Sequence, residues 1–400
     1  MNAEKRTTTQ KVRKGLIIAF LSLIGVFFLL IAISAISNLG LPQSSAVVET
    51  LSEADKIRLA ETTHLRQAVG NAVWPGWGTA DIPAIAYNES YAFLVGYPQP
   101  PAGWVKVPAG LTRGGEWEIV PGDTFDNQPY YRQRLTDPNI TPQAFTVRVG
   151  QRWVSSLQAL EWAKISLIQP IRQDLPDFLR PFFPYRLFIG QLLSGSDGYI
   201  SLSAHEAFHA YQGMEAPERF AAAENSSIRY ENQYSWEDQS LKGDWQKELD
   251  LLTQALQTDD LTAFTNLTRQ FLQLRAQRRE SARLSPELVN YEQQREWLEG
   301  LARYAELEIW RLAATSDYFP ISDTAKLTDF DHYAGFDTRW SQEVGQISRM
   351  AGNQGDGRFY YTGMAQAYLL DRLMPDWKQK AFAADISLEK LLMTASQGRQ

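Results

Sequence analysis

Two histidines spaced four residues apart are the most informative feature of this sequence. His205 and His209 occur in HEAFH, and the whole chain has only four histidines. On a helix, residues four apart project from the same face, so both imidazoles could bind one metal ion. Glu206 follows the first histidine and could take a proton from a water that the ion activates. The pattern predicts a hydrolytic metal site, with zinc as the ion.

The alternative interpretation is a helix whose histidines pack or hydrogen-bond without a metal. Histidine accounts for four of 400 residues, so a chance HExxH is rare at this composition. Neighbouring positions such as Phe208 and Tyr211 suit a buried helix. The preceding GYISL (198–202) predicts a short strand that leads into the motif. These features favour the metal site.

A catalytic zinc site needs a third protein ligand and one open position. The chain has no cysteine, so histidines and carboxylates are the only candidate ligands. Glu215 follows His209 by six residues, the spacing at which metzincins place their third ligand. That family's glycine three residues after the second histidine is absent, because Gln212 stands there. Glu215 is therefore the weaker of two candidates.

The stronger candidate lies in WLEGLARYAE (297–306). This stretch resembles the WLNEGFAxYxE segment of gluzincin metallopeptidases, of the aminopeptidase-N type and its peptidase-MA relatives. The resemblance implies a zincin-like fold and hydrolysis of peptide bonds in a peptide or protein substrate. It implies that Glu299 is the third zinc ligand. It also implies that Glu306 orients a zinc-binding histidine through the other ring nitrogen.

A tyrosine in a YxxG stretch is a further element of that family, where it donates a hydrogen bond to the oxyanion of the tetrahedral intermediate. Tyr360 has the matching offset from Gly363, and Tyr361 is the alternative if the register shifts by one residue. The resemblance covers roughly 195–375. The exopeptidase sequence GxMEN is absent upstream of the histidines, so aminopeptidase specificity is not implied.

Two other functions are compatible with the same residues. The chain could be a catalytically inactive binding or envelope-assembly protein that keeps a zincin fold, although such a protein has no chemical need for Glu206. It could also be a scaffold in which zinc is a structural staple, which would require four protein ligands.

An apolar segment near the N-terminus predicts a membrane anchor. Residues 15–36 contain no charge and supply the roughly 20 apolar residues that a transmembrane helix needs. The preceding tail, 1–14, carries five basic residues and one acid, which predicts a cytoplasmic N-terminus and an extracytoplasmic body. A cleaved signal peptide is the alternative. Residues 37–50 are interpreted as a linker.

The rest of the chain predicts an α+β fold. Region 51–155 begins with a helix from a cap at Ser52 to about Val73 and continues as a β-rich stretch. Region 156–400 is interpreted as a mostly helical, zincin-like catalytic domain with a helical insertion at 216–290. Further helices are predicted at 155–173, 203–215, 240–257, 260–284, 286–315, 338–351 and 361–374.

Charge argues against a nucleic-acid partner. The net charge of the chain is −7, and the one basic run after the tail, RAQRR (275–279), is interpreted as a solvated helix face. The two remaining histidines are assigned no chemistry. His64 is predicted to be a surface or packing residue, and His332 a loop residue.

Overall fold

The architecture is taken from a computed structural model that describes residues 2–108, 110–135, 147–193, 195–236 and 238–397. Its helices are α1 (Asn2–Leu39), α2 (Glu53–Val73), α3 (Leu160–Ser166), α4 (Ile168–Asp174), α5 (Tyr185–Leu192), α6 (Gly195–Glu215), α7 (Pro217–Tyr230), α8 (Gln239–Gln257), α9 (Leu261–Ser281), α10 (Pro286–Arg295), α11 (Leu301–Thr315), α12 (Phe336–Arg349), α13 (Gly357–Leu373) and α14 (Leu388–Gln397). Between α10 and α11 lies one turn of π-helix, Glu296–Gly300, called here the π-segment. The fold is α+β, as predicted.

The chain divides into two compact units. The first unit comprises 1–46 and 160–194, and the second comprises 47–159 and 195–400. Within the first, the stretch Phe20–Leu39 of α1 is long and apolar enough to cross a membrane, although a signal sequence has the same properties. The helix continues three residues beyond the predicted end of the span, into the predicted linker.

A mixed sheet of eight strands occupies the N-terminal half of the second unit. The strands are β1 (Ala84–Tyr87), β2 (Tyr91–Val95), β3 (Trp104–Lys106), β4 (Thr112–Arg113), β5 (Glu118–Ile119), β6 (Tyr131–Arg134), β7 (Val147–Val149) and β8 (Arg152–Gln158). Their order is β4-β3-β7-β8-β1-β2-β6-β5, and β1 pairs in parallel with β8 but antiparallel with β2. Ile85 and Ala86, adjacent in β1, join different apolar clusters, so the sheet is covered on both faces.

Helix α2 matches its prediction at both ends. The Ser52 Oγ accepts the Asp55 N–H at 3.1 Å, which satisfies one of the donors that a helix N-terminus leaves free. The predicted helices at 240–257, 260–284, 338–351 and 361–374 are also present within a few residues of their bounds, and the helix predicted at 203–215 ends as predicted but begins eight residues earlier, at Gly195. The prediction of one helix over 286–315 missed the π-segment.

Two secondary-structure predictions are wrong. GYISL (198–202) is not a strand, because α6 already begins at Gly195 and is buried on most sides. A short apolar run inside a buried helix has the composition of a buried strand, so periodicity alone does not separate them. The helix predicted over 155–173 is also wrong at its start, because Ser155 and Ser156 pair with β1 as the end of β8.

The interpretation of RAQRR (275–279) as a solvated face is wrong as well. Arg275 and Arg278 are buried, with 0% and 1% of their surface exposed. They form ion pairs with carboxylates of α8, α10 and the π-segment, and this group is called here the arginine cluster: Arg275, Arg278, Arg279, Glu248, Glu292 and Glu296. Sequence periodicity did not find it because the acidic partners lie on other elements.

Helix α6 carries both histidines of the HEAFH sequence. It packs against α2, α11 and β8. The contact with β8 is close, because a Cβ at Gly213 would lie 2.4 Å from the Trp153 ring. The face of α6 that carries the histidines is thereby held in the interior of the second unit.

Candidate metal centre

Three potential metal ligands converge in the second unit. His205 and His209 project from one face of α6, and Glu299 projects from the π-segment. One ligand atom from each lies within 4.8 Å of the others, and all three residues are at least 90% buried. The Glu299 Oε2 is 3.2 Å from the His209 Nε2 and 3.6 Å from the His205 Nε2. The group could hold a metal ion.

The outer nitrogens of both imidazoles have acceptors of their own. The His205 Nδ1 lies 3.2 Å from the Glu306 Oε2, and the His209 Nδ1 lies 2.9 Å from the Gln212 Oε1. When each Nδ1–H donates outward, each Nε2 presents a lone pair toward Glu299. This is the arrangement that metal-binding histidines use, so the donor set fits a cation.

Gln212 was not predicted to be a partner of His209. In the sequence it was considered only because it stands where metzincins have a glycine. Its side-chain amide donates to the carbonyls of Trp297 and Leu298, at 2.8 and 3.2 Å, while its oxygen faces His209. The side chain therefore joins α6 to the π-segment. Its position three residues after His209 was the available signal, because residues at that spacing share a helix face.

The π-segment sets the direction of Glu299. A π-turn adds one residue to the helical repeat and is frequent at functional sites. Here it lies directly against α13 through two glycines, since a Cβ at Gly300 would be 2.4 Å from the Gly363 Cα. A Cβ at Gly363 would be 2.4 Å from the Glu296 carbonyl oxygen. Gly300 and Gly363 thus allow the backbones of the π-segment and α13 to cross at close range.

That crossing places Tyr360 beside the ligands. Its ring centre lies 6.4 Å from that of His205, in a stacked orientation. Burial, together with the charge of Glu299, raises the pKa of its hydroxyl well above the usual value, so the group is a donor at neutral pH. Tyr361 instead lies near Arg303, at 6.0 Å from its ring centre to the guanidinium. Of the two candidate tyrosines, the one near the triad is Tyr360.

Glu206 is buried beside the histidines, with 6% of its surface exposed. Its Oε2 has no hydrogen-bond partner among the residues that the structure describes. Burial raises the pKa of its carboxyl to about 7, against the opposing charges of His205 and His209. A carboxyl in that range can both accept and return a proton at neutral pH.

The remaining charges of the site are balanced in different ways. Burial opposes ionisation of Glu299, but His209 and Arg295 hold its pKa well below the usual value. The Arg295 Nη2 donates to the Glu299 Oε1 at 3.0 Å and to Asp356 at 2.5 Å. Burial likewise opposes protonation of His205, yet hydrogen bonds to Glu299 and Glu306 raise its pKa to about 10. Carboxylates thus outweigh burial, and the pocket attracts cations.

Glu306 has a cation on its far side. Arg303 donates to both of its carboxylate oxygens, at 2.7 and 2.6 Å, and to Glu343 at 2.6 Å. Against the effect of burial, the charge of Arg303 lowers the pKa of Glu306 to about 2. Glu306 is therefore ionised and can keep accepting the His205 N–H. Arg303 was not predicted in this position, although it lies three residues before Glu306 on the same helix.

The other predicted candidates lie away from the triad. Glu215 is exposed on the last turn of α6 and is not part of the triad. His64 is a half-buried packing residue, in agreement with its prediction, with its ring 5.6 Å from that of Tyr318 and its Nε2 3.1 Å from the Phe319 carbonyl oxygen. His332 lies in a loop, as predicted, with its ring packed on Phe330.

Comparisons with known proteins assign no family. No family model, curated protein or solved structure matches the chain. Among the described residues, the feature with the clearest chemistry is the buried group of His205, His209 and Glu299.

Proposed function

We propose that this protein is a membrane-anchored, extracytoplasmic metallopeptidase that uses zinc and has a zincin-like fold of the gluzincin type. The observation that carries the proposal is the convergence of His205, His209 and Glu299 around one point, with Glu206 beside them. Two imidazoles and one carboxylate are the protein ligands of many catalytic zinc sites, which keep a fourth position open. A structural site would need a fourth protein ligand.

Zinc bound there would lower the pKa of a water molecule and polarise the carbonyl of the scissile bond. The residues of this chain supply the rest. Glu206 accepts the proton of the attacking water at the oxygen that lacks a partner, and it delivers that proton to the leaving amine. In the metal-free protein, burial raises the pKa of its carboxyl to about 7, so the group exchanges protons more readily at neutral pH than an exposed glutamate does.

Tyr360 is assigned the role of stabilising the oxyanion. Its hydroxyl remains protonated at neutral pH because burial and Glu299 raise its pKa. It can therefore donate to the negative charge that develops on the substrate oxygen, a role worth about 2.7–4 kcal/mol in comparable sites. Glu306 and Gln212 lie where they can accept the Nδ1–H of the two imidazoles, which would leave each Nε2 available to hold the ion.

The anchor assignment rests on α1. Its stretch Phe20–Leu39 has the length and apolar character of a membrane span. The five basic residues of the tail 1–14 favour a cytoplasmic N-terminus and an extracytoplasmic body. The substrates would then be extracytoplasmic peptides or proteins.

The test combines metal content with peptide cleavage. The full chain is purified in detergent, its zinc is measured by mass spectrometry, and it is incubated with a mixture of fluorogenic peptides. We expect about one zinc per chain and cleavage that a chelator abolishes. Glu206→Gln should retain the zinc and lose about 10²- to 10⁴-fold in rate, the usual contribution of general acid–base catalysis.

Glu215→Gln is the matched control, because it makes the same change on an exposed residue of the same helix. It should leave both zinc content and rate unchanged. A zinc-loaded parent that cleaves no peptide, or a Glu206→Gln variant as active as the parent, would favour a non-catalytic binding protein. A folded parent that takes up no added zinc would overturn the proposal entirely.

A further inference from the structure

The first unit has an exposed apolar surface that the proposed function does not use. Five large apolar side chains between residues 178 and 188 are exposed, by 41–72%: Phe178, Leu179, Phe182, Leu187 and Phe188. A concentration of this kind on a folded surface marks a contact with a membrane or another protein. The surface is called here the phenylalanine patch.

The segment that carries the patch is folded against α1. The Asn38 side-chain amide donates to the carbonyls of Pro181 and Phe183, both at 2.9 Å. Arg186 donates to the Gly40 carbonyl at 2.6 Å. Successive backbone hydrogen bonds, such as Leu179 N–H to Pro176 and Phe182 N–H to Leu179, close the turns between. Its backbone polar groups therefore find partners within the first unit.

The inner and outer faces of this segment are both apolar. On the inner face, Tyr185 and Ile189 are buried with Ile168 in a small core. Since the inner face already has its core, the outer residues of the patch are not needed to complete it. An apolar outer face on such a small unit is unfavourable in water. Each large apolar side chain that stays exposed lacks the stabilisation of about 1.5–3 kcal/mol that full burial would contribute.

The position along α1 indicates what covers the outer face. A cavity of about 470 Å³ is lined by α1 residues from Phe27 to Asn38 and by segment residues from Phe182 to Leu187. At 1.5 Å per residue, that part of α1 covers about 16 Å of its length. It lies inside the apolar stretch Phe20–Leu39. When this part of α1 lies in the hydrocarbon core of a membrane, the segment that packs beside it lies at the same depth.

Ser34 shows that this covering is close. It lies in the C-terminal part of the apolar stretch Phe20–Leu39, yet only 8% of its surface is exposed, whereas Ile33 beside it is 54% exposed. Ser34 and Ile33 both line the cavity next to the segment. One side of α1 is therefore shielded from lipid, and the segment takes over the lipid contact on that side.

We propose that residues 176–190 form a second membrane-embedded element, whose phenylalanine patch contacts the acyl chains of the leaflet where the C-terminal end of α1 emerges. The charges are consistent with this depth. Between 176 and 190 the chain carries two arginines, Arg180 and Arg186, and one acid, Asp177, whose carboxylate pairs with Arg180 at 2.6 Å. The element therefore keeps a net positive charge, and arginine side chains extend from apolar surroundings toward lipid phosphates, which are anionic. The occupant of the patch is thus lipid.

The chain lends itself to a direct test because it has no cysteine, so every introduced cysteine is a unique labelling site. Single variants Phe182→Cys and Leu187→Cys are labelled with a small environment-sensitive fluorophore. The full chain is placed in phosphatidylcholine vesicles that contain a minority of phosphatidylglycerol. Phe27→Cys in α1 is the membrane reference, and Phe319→Cys, 78% exposed in the second unit, is the water reference.

Labels at 182 and 187 should lose fluorescence with doxyl-labelled lipid, as the label at 27 does, and should resist aqueous iodide. The label at 319 should show the opposite pattern. Iodide quenching at 182 and 187 equal to that at 319 would overturn the proposal while leaving the anchor intact. Labels that resist both quenchers and quench one another would also overturn it, in favour of a contact between two copies of the chain.

The label at residue 27 distinguishes failure of the anchor from failure of the second membrane element. Iodide quenching there would mean that α1 does not lie in the membrane, which would overturn both the anchor and the second element. Intact mass of the purified chain, measured before labelling, verifies that α1 is still present. None of these readouts depends on zinc or on peptide cleavage.

Discussion

Two clusters of buried charge meet at the π-segment, and they are balanced by different means. In the arginine cluster, each carboxylate accepts hydrogen bonds from guanidinium groups, which stay charged at all physiological pH values. In the metal centre, Glu299 faces two imidazoles, whose charge depends on a proton. The first arrangement fixes its charges permanently. The second leaves room for a cation to replace the protons, which is what a metal site requires.

The two clusters are also mechanically linked. Arg275 from α9 donates to both oxygens of Glu296, at 2.9 and 2.6 Å, and Thr362 from α13 donates to the same carboxylate at 2.6 Å. Glu296 precedes Glu299 by three residues in the π-segment. Helix α9 thus holds the π-segment through Glu296, while Glu299 faces His205 and His209. The following predictions test whether the arginine cluster stabilises the fold and the metal centre binds the ion.

The largest effect on stability is expected from Arg278→Met. Arg278 donates to Glu248 at 2.7 Å and to Glu292 at 2.9 and 3.1 Å, and its removal leaves buried carboxylates with fewer cations. We expect a loss of about 3–5 kcal/mol in the free energy of unfolding, measured by urea titration. Zinc affinity of the folded protein should not change.

Arg311→Met is the control for that variant. Arg311 pairs with Glu308 but its side chain is 42% exposed, so the loss should stay below about 1 kcal/mol. Equal losses for Arg278→Met and Arg311→Met would show that burial does not distinguish the two pairs.

Gly363→Ala should disturb both clusters. The added Cβ would lie 2.4 Å from the Glu296 carbonyl oxygen, so α13 and the π-segment must move apart. Overpacking of this kind costs about 1–3 kcal/mol of stability. Because the π-segment also carries Glu299, zinc affinity should fall in the same variant, as measured by competition with a chromophoric chelator.

Gly345→Ala provides the comparison for the glycine variant. Gly345 lies in α12 with open space where a Cβ would be, so alanine should stabilise the helix by about 0.5–1 kcal/mol. Unchanged zinc affinity in Gly363→Ala would contradict the role of the glycine crossing in placing Glu299.

Glu306→Gln should affect the metal centre alone. The substitution keeps the shape of the side chain and removes the charge that accepts the His205 N–H at 3.2 Å. Loss of such an outer partner typically weakens metal binding by about 10- to 100-fold. Glu308→Gln, two residues along the same helix and paired with Arg311, should leave zinc affinity at the parent value. Equal affinities in the two variants would remove Glu306 from the site.

Acid sensitivity of folding is the smallest of the expected effects when the pH is near neutral. Burial opposes ionisation of Glu248 and Glu292, but the charges of Arg275, Arg278 and Arg279 hold their pKa values below the ordinary 4.5. A depressed carboxyl pKa adds stability that is present above pH 4.5 and is lost as the pH falls toward the folded-state value. The urea midpoint of the metal-free protein should therefore fall between about pH 5 and pH 3.

Glu292→Gln identifies the source of that acid sensitivity. The variant should be less stable than the parent at about pH 7, and its midpoint should fall less steeply with acid because one titrating group is gone. Parallel pH profiles for parent and variant would mean that other carboxylates cause the loss.

Local features of the fold could be predicted because they depend on residues close in sequence. The Ser52 cap, the β-rich stretch that contains β1 and β2 and the shared helix face of His205 and His209 all follow from local residue types and, for the histidines, from the period of a helix. Long-range features could not be predicted in this way. The burial of Arg275 and Arg278 depends on Glu248, Glu292 and Glu296, which are contributed by three other elements.

The sequence by itself determined that two imidazoles and a carboxylate lie together on α6, because four residues make about one helical turn. It also determined that one N-terminal stretch is apolar enough to cross a membrane. Only the tertiary structure decided that Glu299 rather than Glu215 lies beside His205 and His209, in a group that could hold a metal ion, and that Gln212 contacts the His209 Nδ1. The physical reason is that these contacts join side chains across a backbone crossing, where Gly300 meets Gly363, and no local period encodes such a distance.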